Sequence, residues 1–109
     1  MRSYIMNQEI VEKLKEHYPR DLRKQVVKSI LKNEKSDDKL TSESSYQVID
    51  QIFSYIISEL NWNISNTSNW DDTPLKILSE TFPKIETTQW FKNKQLHVKN
   101  HINLEGDLN

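Results

Sequence analysis

The chain has 109 residues, of which 35% are hydrophobic and 28% are charged, and its formal net charge at pH 7 is −1. This length predicts one domain, residues 1–109, with a modest core, and the near-zero net charge gives no general attraction to nucleic acid or to an anionic membrane. The sequence contains no cysteine, which excludes disulfides, cysteine-based zinc sites and thiol nucleophiles.

The start of the chain and the distribution of apolar residues bear on localisation. The first ten residues, MRSYIMNQEI, lack the apolar run of a signal peptide, and no stretch approaches the ~20 apolar residues of a membrane span. The sequence therefore predicts an intracellular protein, cytoplasmic or nuclear, that has no membrane partner.

Apolar residues at helical spacing predict two helices in the first third of the chain. The first covers residues 8–18, and Pro19 either ends it or opens the next helix as its first residue. Its apolar residues are Ile10, Val11, Leu14 and Tyr18. The second covers about residues 20–32, and its side opposite the apolar residues is basic. Because the single glycine is Gly106, glycine-dependent hairpin turns are absent, and helices joined by polar turns are expected.

The strongest pattern lies in KLTSESSYQVIDQIFSYIISEL, residues 39–60, where apolar residues repeat along one face of a long helix. We call these residues the central stripe: Val48, Ile49, Ile52, Phe53, Ile56, Ile57 and Leu60. Thr41, Ser42 or Ser44 is predicted to cap the start of the helix. Because β-branched residues lower helix propensity, packing must hold this helix. We interpret the stripe as a partner-binding face, and the alternative is the chain's own core.

The last third of the chain begins with a break at NWNISNTSNWDD, because Asn and Ser compete with helical hydrogen bonding. Thr73 and Pro74 predict the start of a short fourth helix, which Pro83 ends. A fifth helix is favoured from Thr87, and alternation in QLHVKNHINL leaves a short strand as the alternative. The residues predicted to face inward are Trp90, Phe91, Val98 and Ile102.

Residues 105–109 are predicted to be a frayed end. The fold class is thus a single all-α domain of four to five helices with one long central amphipathic helix.

Residues with catalytic or metal-binding chemistry form no recognisable motif. His97 and His101 have the spacing of two metal ligands, but the glutamate of an HExxH site and a third ligand are missing. The pairs Asp37–Asp38 and Asp71–Asp72 lie in predicted loops and are interpreted as helix caps or solvated carboxylates. No serine lies in a nucleophile elbow, which requires glycines. We therefore predict no enzymatic activity, metal, cofactor or small-molecule substrate.

Two basic stretches are candidate nucleic-acid-binding sites. Their residues are Arg20, Arg23, Lys24 and Lys28 in the predicted second helix, and Lys92 and Lys94 in the fifth. In the first stretch, basic residues repeat every four positions, as a phosphate-contacting stripe would, and a solvated helix face is the alternative. In the second, Trp90 and Phe91 would either stack on bases or anchor the core.

The segment YPRDLRKQVVKSILKNEKSDDKLTSESSYQVIDQIFSYIISELNWN resembles the first two helices of a histone fold, with Lys39-Leu40-Thr41 ending the connector before the long helix. LKILSETFPKI would be the short third helix, so that the resemblance covers residues 19–85. Within that family, the segment resembles the small subunits of the centromere-protein-X type. The resemblance implies an obligate partner chain, pairing through the central helices, and DNA binding by the pair. The loop NTSNWDDTP departs from the family, because it carries Asp71 and Asp72 where basic residues usually face DNA.

Three functions remain as hypotheses. The first is a non-enzymatic protein–protein interaction module, in its most specific form a histone-fold-like subunit that forms a homo- or heterodimer and contacts DNA. The second is a small helical inhibitor, immunity or anti-defence protein of a phage or mobile element, whose acidic loops dock on a basic target protein. The third is a small nucleic-acid-binding regulator, whose binding would weaken steeply with added salt.

Overall fold

The computed structural model describes residues 2–36, 38–61 and 71–108, and the side chains of 7–36, 38, 43–61 and 71–99. These ranges contain five α-helices, one short 3-10 helix and no strand. The helices are α1 (Arg2–His17), α2 (Arg20–Glu34), α3 (Lys39–Glu59), α4 (Thr73–Thr81) and α5 (Gln89–Leu108), and the 3-10 helix is Ile85–Thr87. The predicted all-α fold is confirmed.

The first two helices are longer than the sequence predicts. α1 begins at Arg2, six residues before its predicted start. It ends directly before Tyr18 and Pro19, because a residue that precedes proline is disfavoured in the helical conformation. α2 starts immediately after Pro19, whose carbonyl oxygen accepts the first helical hydrogen bond from the Arg23 amide at 2.9 Å. α2 continues to Glu34, two residues beyond the prediction.

The start of α3 corrects the predicted cap. The helix begins at Lys39, so that Thr41, Ser42 and Ser44 all lie inside it and none stands at the N-cap position. Asp38 is the residue directly before the helix, and aspartate is as good an N-cap residue as serine. The turn before the helix is closed by the Ser36 hydroxyl, which accepts a hydrogen bond from the Asp38 amide at 3.1 Å. The predicted cap of α3 at Thr41, Ser42 or Ser44 is therefore wrong.

The second half of the chain follows the predicted elements. α4 begins at Thr73 and ends two residues before Pro83, as predicted. α5 includes all of QLHVKNHINL, so the helix is confirmed and the alternative strand is wrong. The side chain of Ile102 lies outside the described residues. α5 continues to Leu108, and the predicted fraying of residues 105–109 concerns motion and stays a prediction.

All five helices contribute to one core of buried apolar side chains. α3 packs against α2 and α4, α1 packs against α4, and α5 packs against α4 and the 3-10 helix. The largest fully buried side chains include Leu14, Ile30, Ile49, Ile52, Ile56, Ile77, Leu78, Phe82 and Ile85. Complete burial of one such side chain contributes about 1.5–3 kcal/mol relative to exposure. The described residues therefore form a small compact all-α domain with α3 at its centre.

Candidate binding surfaces

The central stripe lies in the core of the folded chain. Its buried members are Ile49, Ile52, Phe53, Ile56 and Ile57. Leu60 is partly buried against them, and Val48 is 41% exposed. The surrounding core residues belong to α1, α2, α4, α5 and the 3-10 helix of the same chain. A partner chain would reach the five buried side chains only if these elements separated, and partner binding by the stripe stays a prediction.

The exposed side of α2 and the residue that follows the helix carry a row of basic side chains, which we call the cationic row: Arg20, Lys24, Lys28, Lys32 and Lys35. All five are exposed, and none forms an ion pair with a described residue. The row is about 22 Å long at a helical rise of 1.5 Å per residue. Lys32 was already predicted to flank the basic stretch, and Lys35, three residues further on, extends it.

Arg23 was predicted to belong to the same basic surface, but the structure gives it another contact. Its side chain is half-buried, and Nη1 donates a hydrogen bond to the backbone oxygen of Thr81 at 3.0 Å. Thr81 is the last residue of α4, where carbonyl oxygens lack helical partners and the helix dipole attracts a cation. Arg23 therefore joins α2 to the end of α4, and it does not lie in the cationic row.

Of the two basic residues predicted on α5, one is exposed to solvent and the other contacts aromatic rings of the same chain. Lys92 is exposed, whereas the Nζ of Lys94 lies 5.3 Å from the ring centroid of Phe53 and 5.7 Å from that of Trp90. Trp90 and Phe91 are both buried, and Trp90 Nε1 donates a hydrogen bond to Asp50 Oδ1 at 2.7 Å. Of the two predicted roles, the structure therefore places these rings in the core.

The carboxylate of Glu34 joins the end of α2 to the start of α5, a contact that sequence reasoning did not identify. Glu34 Oε1 accepts a hydrogen bond from the Gln89 amide and Oε2 from the Trp90 amide, both at 3.0 Å. The Tyr46 hydroxyl donates to Oε2 at 2.6 Å. Glu34 thus caps α5 from 55 residues away in sequence. Burial, followed by the hydrogen bond to Glu34, raises the pKa of Tyr46 well above its ordinary value of 10.0.

A groove of about 560 Å³ lies between α4 and α5. Leu75, Phe91 and Val98 supply apolar lining, whereas Asp72 and Lys99 bring opposite charges to it. Near the start of α4, Asp71 Oδ1 accepts a hydrogen bond from the Thr73 amide at 2.8 Å, and Lys76 Nζ lies 3.5 Å from Asp72 Oδ1. Asp72 stands at the N-cap position of α4 without a side-chain hydrogen bond to the helix. Of the two predicted caps, only the Asp71 carboxylate therefore bonds a backbone amide at the start of α4. The groove carries no single sign of charge, in contrast to the cationic row.

In the described part of the chain, no three His, Asp or Glu side chains form a cluster that would hold a metal ion. His97 is exposed, and the side chain of His101 lies outside the described residues. No helix in the described ranges combines the length and the apolar character that crossing a lipid bilayer would require.

Comparisons with protein-family models, with curated proteins and with solved structures found no match. The resemblance of residues 19–85 to histone-fold subunits therefore stays a prediction.

Proposed function

We propose that this chain is a non-enzymatic interaction module that works as one folded chain and binds a macromolecular partner through its charged outer surface. The observation that carries the proposal is the burial of the central stripe by helices of the same chain. Ile49 and Ile56, in the middle of the stripe, are 0% exposed. A helix face that is already covered has no apolar surface left for a partner, so the binding surface lies elsewhere.

The same observation weighs against obligate pairing through α3. When two chains share a central helix face, each chain alone leaves part of that face open, and the isolated chain has no stable fold. Here α1 contributes Ile10, Val11 and Leu14 to the core, and α5 contributes Trp90 and Phe91. These helices flank the segment that resembles a histone fold, and they supply the cover that a second chain would otherwise provide.

The alternative of an inhibitor that docks through acidic loops receives less support. Asp71 accepts a hydrogen bond from the Thr73 amide, and Asp72 forms an exposed ion pair with Lys76, so both carboxylates have contacts within the chain. Asp37 lies outside the described residues. The cationic row, in contrast, has no ion pairs with described residues, and it is the surface whose charge is available to a partner.

The proposal is tested by light scattering and chemical unfolding over a hundredfold range of protein concentration. We expect a mass of 13.0 kDa throughout, and a cooperative unfolding midpoint that is independent of concentration. Twice that mass, or a midpoint that rises with concentration, would overturn the single-chain proposal.

Two substitutions in the stripe sharpen the test. Val48→Asp changes an exposed member, and we expect it to leave both mass and midpoint unchanged. Ile52→Asp places a carboxylate in the core, and we expect it to lower the midpoint steeply, because a buried charge without a partner is strongly unfavourable. If the stripe were an interface between chains, Val48→Asp would instead break the assembly.

A further inference from the structure

We propose that the cationic row of α2 is a contact surface for the phosphate backbone of double-stranded DNA. The inference rests on the proposed function, because it assigns the partner of the outer surface of a single folded chain. It differs from the histone-fold expectation, in which DNA is bound by a pair of chains.

The row concentrates positive charge on a chain that is slightly acidic as a whole. Residues 20–35 contain six of the 15 basic residues and only two of the 16 acidic ones. Of those two, Glu34 is engaged by the start of α5 and by Tyr46, which leaves Asp21 as the acidic side chain near the row. Since the five cations have no ion pairs with described residues, binding an anion requires no described ion pair to break.

The spacing of the row fits a polyanion that is extended rather than a single anion. Successive side chains from Arg20 to Lys32 are four residues apart, which is about 6 Å along the helix axis. At 100° per residue the whole row stays within about 120° of the helix surface. Double-stranded DNA presents one negative charge per about 1.7 Å of its axis, so a row of this length meets several phosphates at once.

The composition of the row favours DNA over an acidic protein. Protein interfaces are depleted of lysine and rely on apolar or aromatic anchors in a buried centre, but the row consists of four lysines and one arginine. The exposed large apolar residue of α2 is Leu22, which lies about 140° around the helix from the centre of the row. A surface of ammonium and guanidinium groups without an apolar centre suits contacts to phosphate oxygens.

The described aromatic residues favour a duplex over a single strand. Proteins that bind single strands stack bases on exposed aromatic rings, but no aromatic side chain that the structure describes is exposed. Phe53, Phe82, Trp90 and Phe91 are buried, and the described tyrosines are partly buried. Double-stranded RNA is held largely through its 2′-hydroxyl groups and shape. The side chains that share the arc of the row are Asp21 and Leu31, and neither donates a hydrogen bond to a 2′-hydroxyl. We therefore assign the row to duplex DNA, bound without sequence preference.

Fluorescence anisotropy with a labelled mixed-sequence DNA duplex, repeated over a salt series, tests the proposal. If all five cations contact phosphates, log K falls with log salt with a slope of about −4.5. We expect Lys24→Gln/Lys28→Gln to reduce the slope by about 1.8 and to weaken binding at least tenfold at about 50 mM salt. The control Lys15→Gln/Lys92→Gln removes the same net charge at two exposed sites outside the row and is expected to retain wild-type binding.

Several results would overturn the proposal. One is binding that does not depend on salt, or no binding at all at low salt. Another is equal loss of binding in both double variants, which would mean that total charge rather than the row decides affinity. Tighter binding to a single strand, to duplex RNA or to poly-glutamate would assign the row to a different partner. Light scattering on the same samples separates the two proposals. A folded monomer that does not bind DNA would refute only the DNA-binding inference. A dimer that binds DNA would refute only the single-chain proposal.

Discussion

The capping of α5 by Glu34 gives the sharpest stability prediction. Glu34→Ala removes the acceptor for the Gln89 and Trp90 amides and for the Tyr46 hydroxyl. Loss of a side-chain cap costs about 1 kcal/mol, and a hydrogen bond between a neutral hydroxyl and a carboxylate contributes about 1.5–3 kcal/mol. Because Glu34 is only half-buried, the low end of these ranges applies. We expect the free energy of unfolding to fall by about 2–3 kcal/mol.

Urea unfolding followed by circular dichroism measures this change, and thermal unfolding should show a fall in Tm of about 8–12 °C for a domain of this size. The matched control is Glu80→Ala, which removes a carboxylate that is exposed on α4 and is expected to change stability by less than about 0.5 kcal/mol. A double-mutant cycle with Tyr46→Phe isolates the hydroxyl contact, because the tyrosine substitution should cost little once Glu34 is absent. If Glu34→Ala were no worse than Glu80→Ala, the reasoning that Glu34 holds α5 in place would be refuted.

Three further predictions concern single contacts. Burial and then the Glu34 carboxylate raise the pKa of Tyr46, so the contribution of Tyr46 to stability is complete below pH 10.0 and is lost as pH rises above that value. The urea midpoint of unfolding should therefore fall at alkaline pH. An equally steep fall in the Tyr46→Phe variant would contradict this role of Tyr46. Arg23→Met should lower the free energy of unfolding by about 1–2 kcal/mol through the lost bond to the end of α4, whereas Arg20→Met in the cationic row should leave it nearly unchanged. Lys94→Met should cost about 0.5–1 kcal/mol by removing the cation from the two aromatic rings, and an equal effect of Lys92→Met would count against that contact.

Basic residues that are held by contacts inside the chain are poor probes of surface binding. Arg23 and Lys94 both belong to basic stretches of the sequence, yet each is held by a contact inside the chain. Substituting either residue changes stability together with any binding, so neither is a clean probe of a surface. Lys24 and Lys28 have no such contacts with described residues, and variants at these positions report on the surface alone.

Much of the fold could be predicted from the sequence, because local backbone physics determines it. Apolar residues at helical spacing identified α2, the central part of α3 and α5, and Pro19, Thr73 and Pro83 marked helix boundaries. The predicted start of α1 was wrong by six residues. The predicted start of α3 was also wrong by several residues, since more than one residue near a helix start can serve as its cap. The side of each helix that faces the core was also predictable, because the periodicity of apolar residues is a local property.

The partners of these side chains were decided only by the tertiary structure. Periodicity shows that the central stripe must be covered, but it contains no information on whether the cover comes from the same chain or from another one. Glu34 lies 55 residues before the amide of Gln89, and Arg23 lies 58 residues before the carbonyl of Thr81, so no local pattern connects them. Such contacts arise when packing of the apolar faces brings distant helix ends together. The sequence by itself therefore determined which surfaces are apolar or charged, and the tertiary structure decided which of them remain free for a partner.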